Sequence, residues 1–279
     1  MSEYSYLRDD VKAKISKVAK KSLEDISAKH PPVKFEELYD HDKLRSNLYE
    51  KDRPEFQNLV KQIGLPNAEK LRGVLLVQDR RVIIVDEDYD RRNNFALYHE
   101  HGHWKLPWHQ QMLYKCTQFD LSAKARQQME REANLYASEI GFMGLTFTNY
   151  LLSSAPSISH IKELSDVFNM SMEATFRRAV ELDVRPCAYL TLKINNEETE
   201  RFFEVAYVVH STPFKEQIGE FSTKNTFNRE HPLAKIVTDP LHNLLNHYEC
   251  TLRFGKKKIE LKAEVWKNKW NIFALCQPT

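Results

Sequence analysis

The pattern His99-Glu100-x-x-His103 lies within Phe95-Ala-Leu-Tyr-His-Glu-His-Gly-His103. Two histidines four residues apart on a helix stand only about 40° apart around its axis, so both imidazoles can reach one metal ion and supply half of a tetrahedral zinc site. A carboxylate directly after the first histidine falls beside such an ion rather than on it, where it can take a proton from water. Glu100 is the candidate general base, and the chemistry is metal-assisted hydrolysis. His101, two residues beyond His99, faces away from the pair and is expected not to ligate.

A site of this kind needs a third protein ligand. The segment Glu130-Arg131-Glu132-Ala133-Asn134-Leu135-Tyr136-Ala137 is able to supply it from a second helix. Glu130, Ala133 and Ala137 make one stripe at i, i+3 and i+7, and its small residues let the two helices pack closely enough to deliver the Glu130 carboxylate to the metal. Asn134 falls on the same side, placed to orient a ligand imidazole from behind. Glu132 is the competing carboxylate; at i+2 it points about 200° away from Glu130 and is expected to face solvent.

The elements that must hold these residues follow from apolar periodicity. Val11, Ile15, Val18, Ala19 and Ile26 mark an amphipathic helix that Pro31 and Pro32 close, and Phe35, Leu38 and Tyr39 form the apolar side of a second polar segment. GVLLVQ (Gly73 to Gln78) and VIIVD (Val82 to Asp86) predict a hairpin. The histidine helix runs from Asn93 to Lys105 with Pro107 beyond its end, the Glu130 helix from Ala123 to Ile140, and two more cover Ile158 to Phe168 and Met172 to Leu182. Beyond Val184 the pattern turns to alternation. Ala188 to Ile194, an Asn195-Asn196 turn and Arg201 to Val209 predict one hairpin, and CTLRF, IELKAEVW and WNIFALC predict a three-stranded meander. The expectation is an α+β protein with a mostly helical domain carrying a small sheet over residues 1–183 and a β-rich domain over 184–279.

Composition narrows the classes. In 279 residues, 42% are hydrophobic and 29% charged, with 7 Gly and 11 Pro, which excludes collagen-like, low-complexity and broadly disordered chains. Lys+Arg 41 against Asp+Glu 39 leaves +2, so phosphate neutralisation is not the default mode of binding. With no apolar run approaching about 18 residues and no apolar leader, the expected location is the cytoplasm, without membrane contact. Cys116, Cys187, Cys250 and Cys276 lie far apart and suggest neither a disulfide framework nor a thiolate zinc site.

The hairpin GVLLVQ…VIIVD, then F-A-L-Y-H-E-H-G-H, then E-R-E-A-N-L-Y-A-S-E-I, then FNMSMEATFRRAVEL resembles the ImmA/IrrE family of zinc metallo-endopeptidases, over roughly Ala13 to Leu182. The resemblance implies a zincin-like fold for the first domain, zinc ligands His99, His103 and Glu130, and catalytic Glu100. It also implies a protein substrate: an intracellular regulator of the helix-turn-helix repressor or antitoxin type. Tyr98 stands where the family commonly has Ala, and Gly141-Phe-Met-Gly lacks the proline of the family's turn.

Two other classes compete with an endopeptidase. One is a regulatory binding module on a metalloprotease scaffold; it would have no need of Glu100. The other is nucleic-acid sensing through the tail, where seven Lys/Arg between Arg253 and Lys269 accompany Trp266 and Trp270. Outward-facing strand lysines and core tryptophans account for the same pattern. A second donor for the developing oxyanion is needed, with Tyr98, Tyr136 and His160 as candidates. An extended substrate is expected to add to the edge of the sheet that contains VIIVD.

Overall fold

In the computed structural model, residues 7–50, 54–63, 73–77, 79–86, 90–110, 123–197, 200–220, 226–227, 246–254, 257–267 and 272–279 are described. The chain is mixed α and β and divides into two units, one of Glu3–Phe147 with Ser165–Ser171, the other built from Thr148–Leu164 and Met172–Thr279. Among the described residues no helix is long and apolar enough to cross a membrane.

In the first unit, α1 (Asp9–Asp25) carries Asp9 and Asp10 in its first turn, where the helix dipole favours negative charge. It buries Ile15, Ala19 and Ser22, one stripe at helical spacing. Helix α2 (Phe35–Asp42) ends at Lys43, whose left-handed backbone turns the chain into strand β1 (Arg45–Glu50). After α3 (Pro54–Ile63) come β2 (Gly73–Leu76) and β3 (Arg81–Asp86), the expected hairpin, paired antiparallel. The sheet has the order β1-β3-β2, with β1 parallel to β3. VIIVD is therefore the middle strand, and the sheet's edges are β1 and β2.

Helices α4 (Asp90–Lys105) and α5 (Ala123–Gly141) carry the chemistry-bearing residues and pack on each other. Their close approach is a matter of small side chains. A Cβ on Gly102 would stand 3.0 Å from Tyr136 Cδ1 and 3.3 Å from the Ala133 carbonyl oxygen, and Ala133 and Ala137 are fully buried. Tyr98 is buried too, its hydroxyl donating to the Val33 carbonyl at 2.6 Å. A further core is built by Phe142, Phe147 and Phe168, whose rings meet edge-on or tilted.

The second unit holds a six-stranded antiparallel sheet in the order β6-β5-β4-β9-β8-β7. Its strands are β4 (Ala188–Glu197), β5 (Glu200–His210), β6 (Thr226–Phe227), β7 (Asn246–Phe254), β8 (Lys257–Lys267) and β9 (Ile272–Pro278). Asn195 and Asn196 belong to β4, paired with Phe202 and Arg201, so the strands run past the expected turn. Phe176 on the helix Met172–Leu182 lies flat on Tyr189 at 4.4 Å and on Phe273 at 5.6 Å, with Trp266 stacked on Phe273. That aromatic stack is why this helix groups with the sheet, so that Val184, where the domain boundary was expected, lies inside the second unit. Cys187 and Cys276 are buried free thiols there.

Candidate metal centre

Helix α4 presents His99 and His103 on one face, and α5 brings Glu130 to meet them. The two Nε2 atoms are 3.2 Å apart; Glu130 Oε2 is 3.2 Å from His99 Nε2, and its Oε1 is 3.6 Å from His103 Nε2. Donor atoms around a tetrahedral zinc at its usual bond lengths stand about 3.4 Å from one another. The three side chains thus converge at the spacing of ligands to a single ion, with both imidazoles half-buried and Glu130 exposed.

Each imidazole is held at its other nitrogen. Asn134 Oδ1 lies 2.8 Å from His99 Nδ1, and His109 Nδ1 lies 3.1 Å from His103 Nδ1. Because the Asn134 oxygen accepts, His99 carries a proton on Nδ1, and its Nε2 is the atom that faces Glu130. Burial alone would lower the His99 pKa, but its hydrogen bond to the Glu130 carboxylate and the nearby Glu100 charge outweigh it and raise it. His103 is pushed down by burial and by the neighbouring His99 and His109, which favours the neutral, ligating form. Glu130 is held below the usual carboxylate range, first by its hydrogen bond with His99.

Glu100 is buried beside these groups, and burial raises its carboxyl to about 7 against the pull of the His99 charge and of a hydrogen bond from the Leu75 backbone. A group poised there is half-ionised at neutral pH, the condition for both accepting and returning a proton. The Leu75 contact also fixes which part of the sheet lies next to the base: edge strand β2.

Glu132 is not solvent-facing. It is 3% exposed, accepting from His109 Nε2 at 2.9 Å, from Trp108 Nε1, and from Gln128 Nε2 at 2.8 Å. The angular argument places Glu132 away from Glu130 correctly; what it misses is that the chain beyond Pro107 folds back and covers that face. His109 and Trp108 are therefore residues that sequence reasoning overlooked. Their signal was a histidine and a tryptophan adjoining just past a helix-ending proline. His101 points away from the ligands into a buried network, its Nε2 2.8 Å from Asp42 Oδ2 and its Nδ1 2.9 Å from the Tyr136 hydroxyl. Lys105 Nζ also reaches Asp42 Oδ1, at 3.1 Å.

The three oxyanion candidates are committed elsewhere. The Tyr98 hydroxyl serves Val33, and the Tyr136 hydroxyl lies against Ser22 and His101 in the core. His160 belongs to the second unit, with Nε2 3.1 Å from the Tyr150 carbonyl oxygen. Cys116 and Trp270 lie outside the described residues, as do Lys256 and Lys269 of the basic segment.

No family model and no curated protein matches the sequence. Among solved structures, the fold is similar to that of a Mycobacterium tuberculosis transcriptional regulator, with a TM-score of 0.57 at 10% identity over 95% of this chain and 76% of that one. At that identity the likeness concerns the fold alone.

Proposed function

We propose that this chain is a zinc-dependent endopeptidase of the ImmA/IrrE type, its zincin-like catalytic part formed by the first unit, acting in the cytoplasm on a regulatory protein. The observation that carries the reading is the convergence of His99 Nε2, His103 Nε2 and the Glu130 carboxylate at 3.2–3.6 Å, with buried Glu100 next to them. The donor set of two imidazoles and one carboxylate is one that zinc takes in hydrolases that keep a fourth position open. Bound there, zinc supplies a Lewis acid that acidifies water and polarises a carbonyl.

The chain's own residues do the rest. His99, His103 and Glu130 hold the ion, and Asn134 keeps the His99 ring turned toward it. Glu100 takes the proton of the water that adds to the scissile carbonyl carbon and passes it to the amine that leaves. Its burial keeps that proton from exchanging with bulk solvent during the transfer. The substrate lies extended along β2, the edge strand that touches Glu100, and pairs with its outward backbone groups. Resemblance of the motifs supports a repressor-like or antitoxin-like substrate.

The test is metal content and proteolysis together. Elemental mass spectrometry on protein purified without a metal-binding tag is expected to give about one zinc per chain, lost in Glu130→Ala and retained in Glu100→Gln. New protein N-termini are expected in cells expressing wild type and absent with Glu100→Gln. A wild type without zinc overturns the metal reading. A Glu100→Gln variant with full biological effect overturns proteolysis and favours a binding module.

A further inference from the structure

We propose that His109 and Glu132 are positioning residues that preset the tautomer of His103, so that its Nε2 lone pair faces the metal position before the ion arrives. The proposal rests on the reading of His99, His103 and Glu130 as metal ligands and adds a buried relay behind one of them, His103–His109–Glu132.

The direction of every hydrogen bond in the relay follows from its far end. Glu132 sits in a pocket of donors: the Trp108 indole N–H and the Gln128 amide, with His109 Nε2 at 2.9 Å. A carboxylate accepts only, so the His109 proton sits on Nε2. A neutral His109 then has a bare lone pair on Nδ1, and that atom faces His103 Nδ1 at 3.1 Å. Of two facing nitrogens one must carry the proton, and here it is His103. Its Nε2 is left with the lone pair, 3.2 Å from His99 Nε2 and 3.6 Å from Glu130 Oε1.

The two ligand histidines are thus set by different means, His99 by one amide oxygen and His103 through a second imidazole backed by a carboxylate. His109 and Glu132 are 0% and 3% exposed, so no water competes for the relay. Groups behind a ligand imidazole commonly change metal affinity by about 10- to 100-fold when removed. The intervening histidine lets a carboxylate on the far side of α5 act on a ligand of α4 without itself approaching the ion.

Two measurements test this. In zinc-free wild type labelled with 15N-histidine, the ring nitrogen shifts of His103 are expected to show the proton on Nδ1; a proton on Nε2 overturns the relay. This needs no variant to fold. Zinc affinity by competition with a chromogenic chelator is expected to fall about 10- to 100-fold in His109→Leu and to recover largely in His109→Gln, whose amide offers one acceptor and one donor. A purely packing role would be served no better by Gln than by Leu and would leave the His103 tautomer unmoved. A folded His109→Leu that binds zinc within about twofold of wild type overturns the relay alone. A wild type that binds no zinc overturns the metal reading and the relay with it.

Discussion

Asn134 Oδ1 stands 2.8 Å from His99 Nδ1, on the side of the ring opposite the Nε2 that faces Glu130. One helix, α5, therefore supplies both the carboxylate of the His99–His103–Glu130 cluster and the group that holds the His99 ring. Glu130 and Asn134 are four residues apart, so a single face of α5 does both. Replacing Asn134 by Leu keeps the volume but removes the acceptor. We expect zinc affinity to drop about tenfold or more, with the fold intact by circular dichroism. Asn134→Asp, which still accepts, should retain it. Equal affinity for Asn134→Leu and wild type would show that the ring needs no holding.

Glu100 gives the zinc-free protein a distinctive pH dependence. Its carboxyl is raised from the ordinary 4.5 to about 7 in the folded chain, mainly by burial. Below the unfolded value both states are protonated and its contribution is fully present. As pH rises from about 4.5 to about 7, the unfolded chain gives up the proton first, so stability is lost across that window. At about 1.4 kcal/mol per pH unit this amounts to roughly 3 kcal/mol. Glu100→Gln cannot ionise. Urea unfolding of chelator-treated protein should show the variant gaining on wild type by up to that amount between pH 4.5 and pH 8. A difference that stays constant with pH would refute the burial of a charge-averse carboxyl.

The convergence of His99, His103 and Glu130 was legible in the sequence because helical periodicity fixes angles: His99 with His103, and Glu130 with Ala133, Asn134 and Ala137, each share a face wherever the helices go. What periodicity does not carry is what the chain does next. Glu132 points away from Glu130 as expected, yet it is buried, because His109 and Trp108 come back across that face after Pro107. Strand β1 went unread for a related reason. Arg45–Glu50 has little apolar signal, and its partner β3 is more than thirty residues away and parallel. In the second unit the three late strands were visible as a meander. That β9 also pairs with β4, joining meander and hairpin into one sheet, is a non-local fact no local pattern holds.

Gly102 sets the distance between α4 and α5. An added methyl would meet Tyr136 Cδ1 at 3.0 Å and the Ala133 carbonyl at 3.3 Å. The carbonyl is backbone, and the Tyr136 ring is pinned through its hydroxyl, 2.9 Å from both Ser22 Oγ and His101 Nδ1. Neither neighbour can give way without moving α5. Alanine gains about 1 kcal/mol over glycine in a helix interior, whereas overpacking costs about 1–3 kcal/mol. We expect Gly102→Ala to be destabilising by on the order of 1 kcal/mol and Gly102→Val by more, both with weakened zinc binding, as Glu130 is displaced from the histidines. Thermal unfolding and chelator competition on the same samples would check this; a stabilised Gly102→Ala with unchanged affinity would show that the helices have room to spare.

The proposed pairing of a substrate with β2 can be tested by where a proline is tolerated. Leu75 donates its backbone N–H to Glu100, so that group points out of the sheet rather than to β3. In a strand the next backbone groups on the same side belong to Gly73, two residues earlier. Gly73 begins β2, and a proline there would remove an outward donor while leaving the pairing with β3 in place, since proline is tolerated at the first residue of a strand and on an edge whose N–H faces outward. We expect Gly73→Pro to keep its zinc and fold but to raise KM for an extended peptide substrate by about tenfold, one hydrogen bond's worth, with kcat little changed. Ile83→Pro, in contrast, interrupts the middle strand, paired to Asn47 on one side and Val74 on the other, and should unfold the sheet. If Gly73→Pro cleaves with wild-type KM, the substrate does not pair with β2, and the Leu75–Glu100 contact serves only to hold the base.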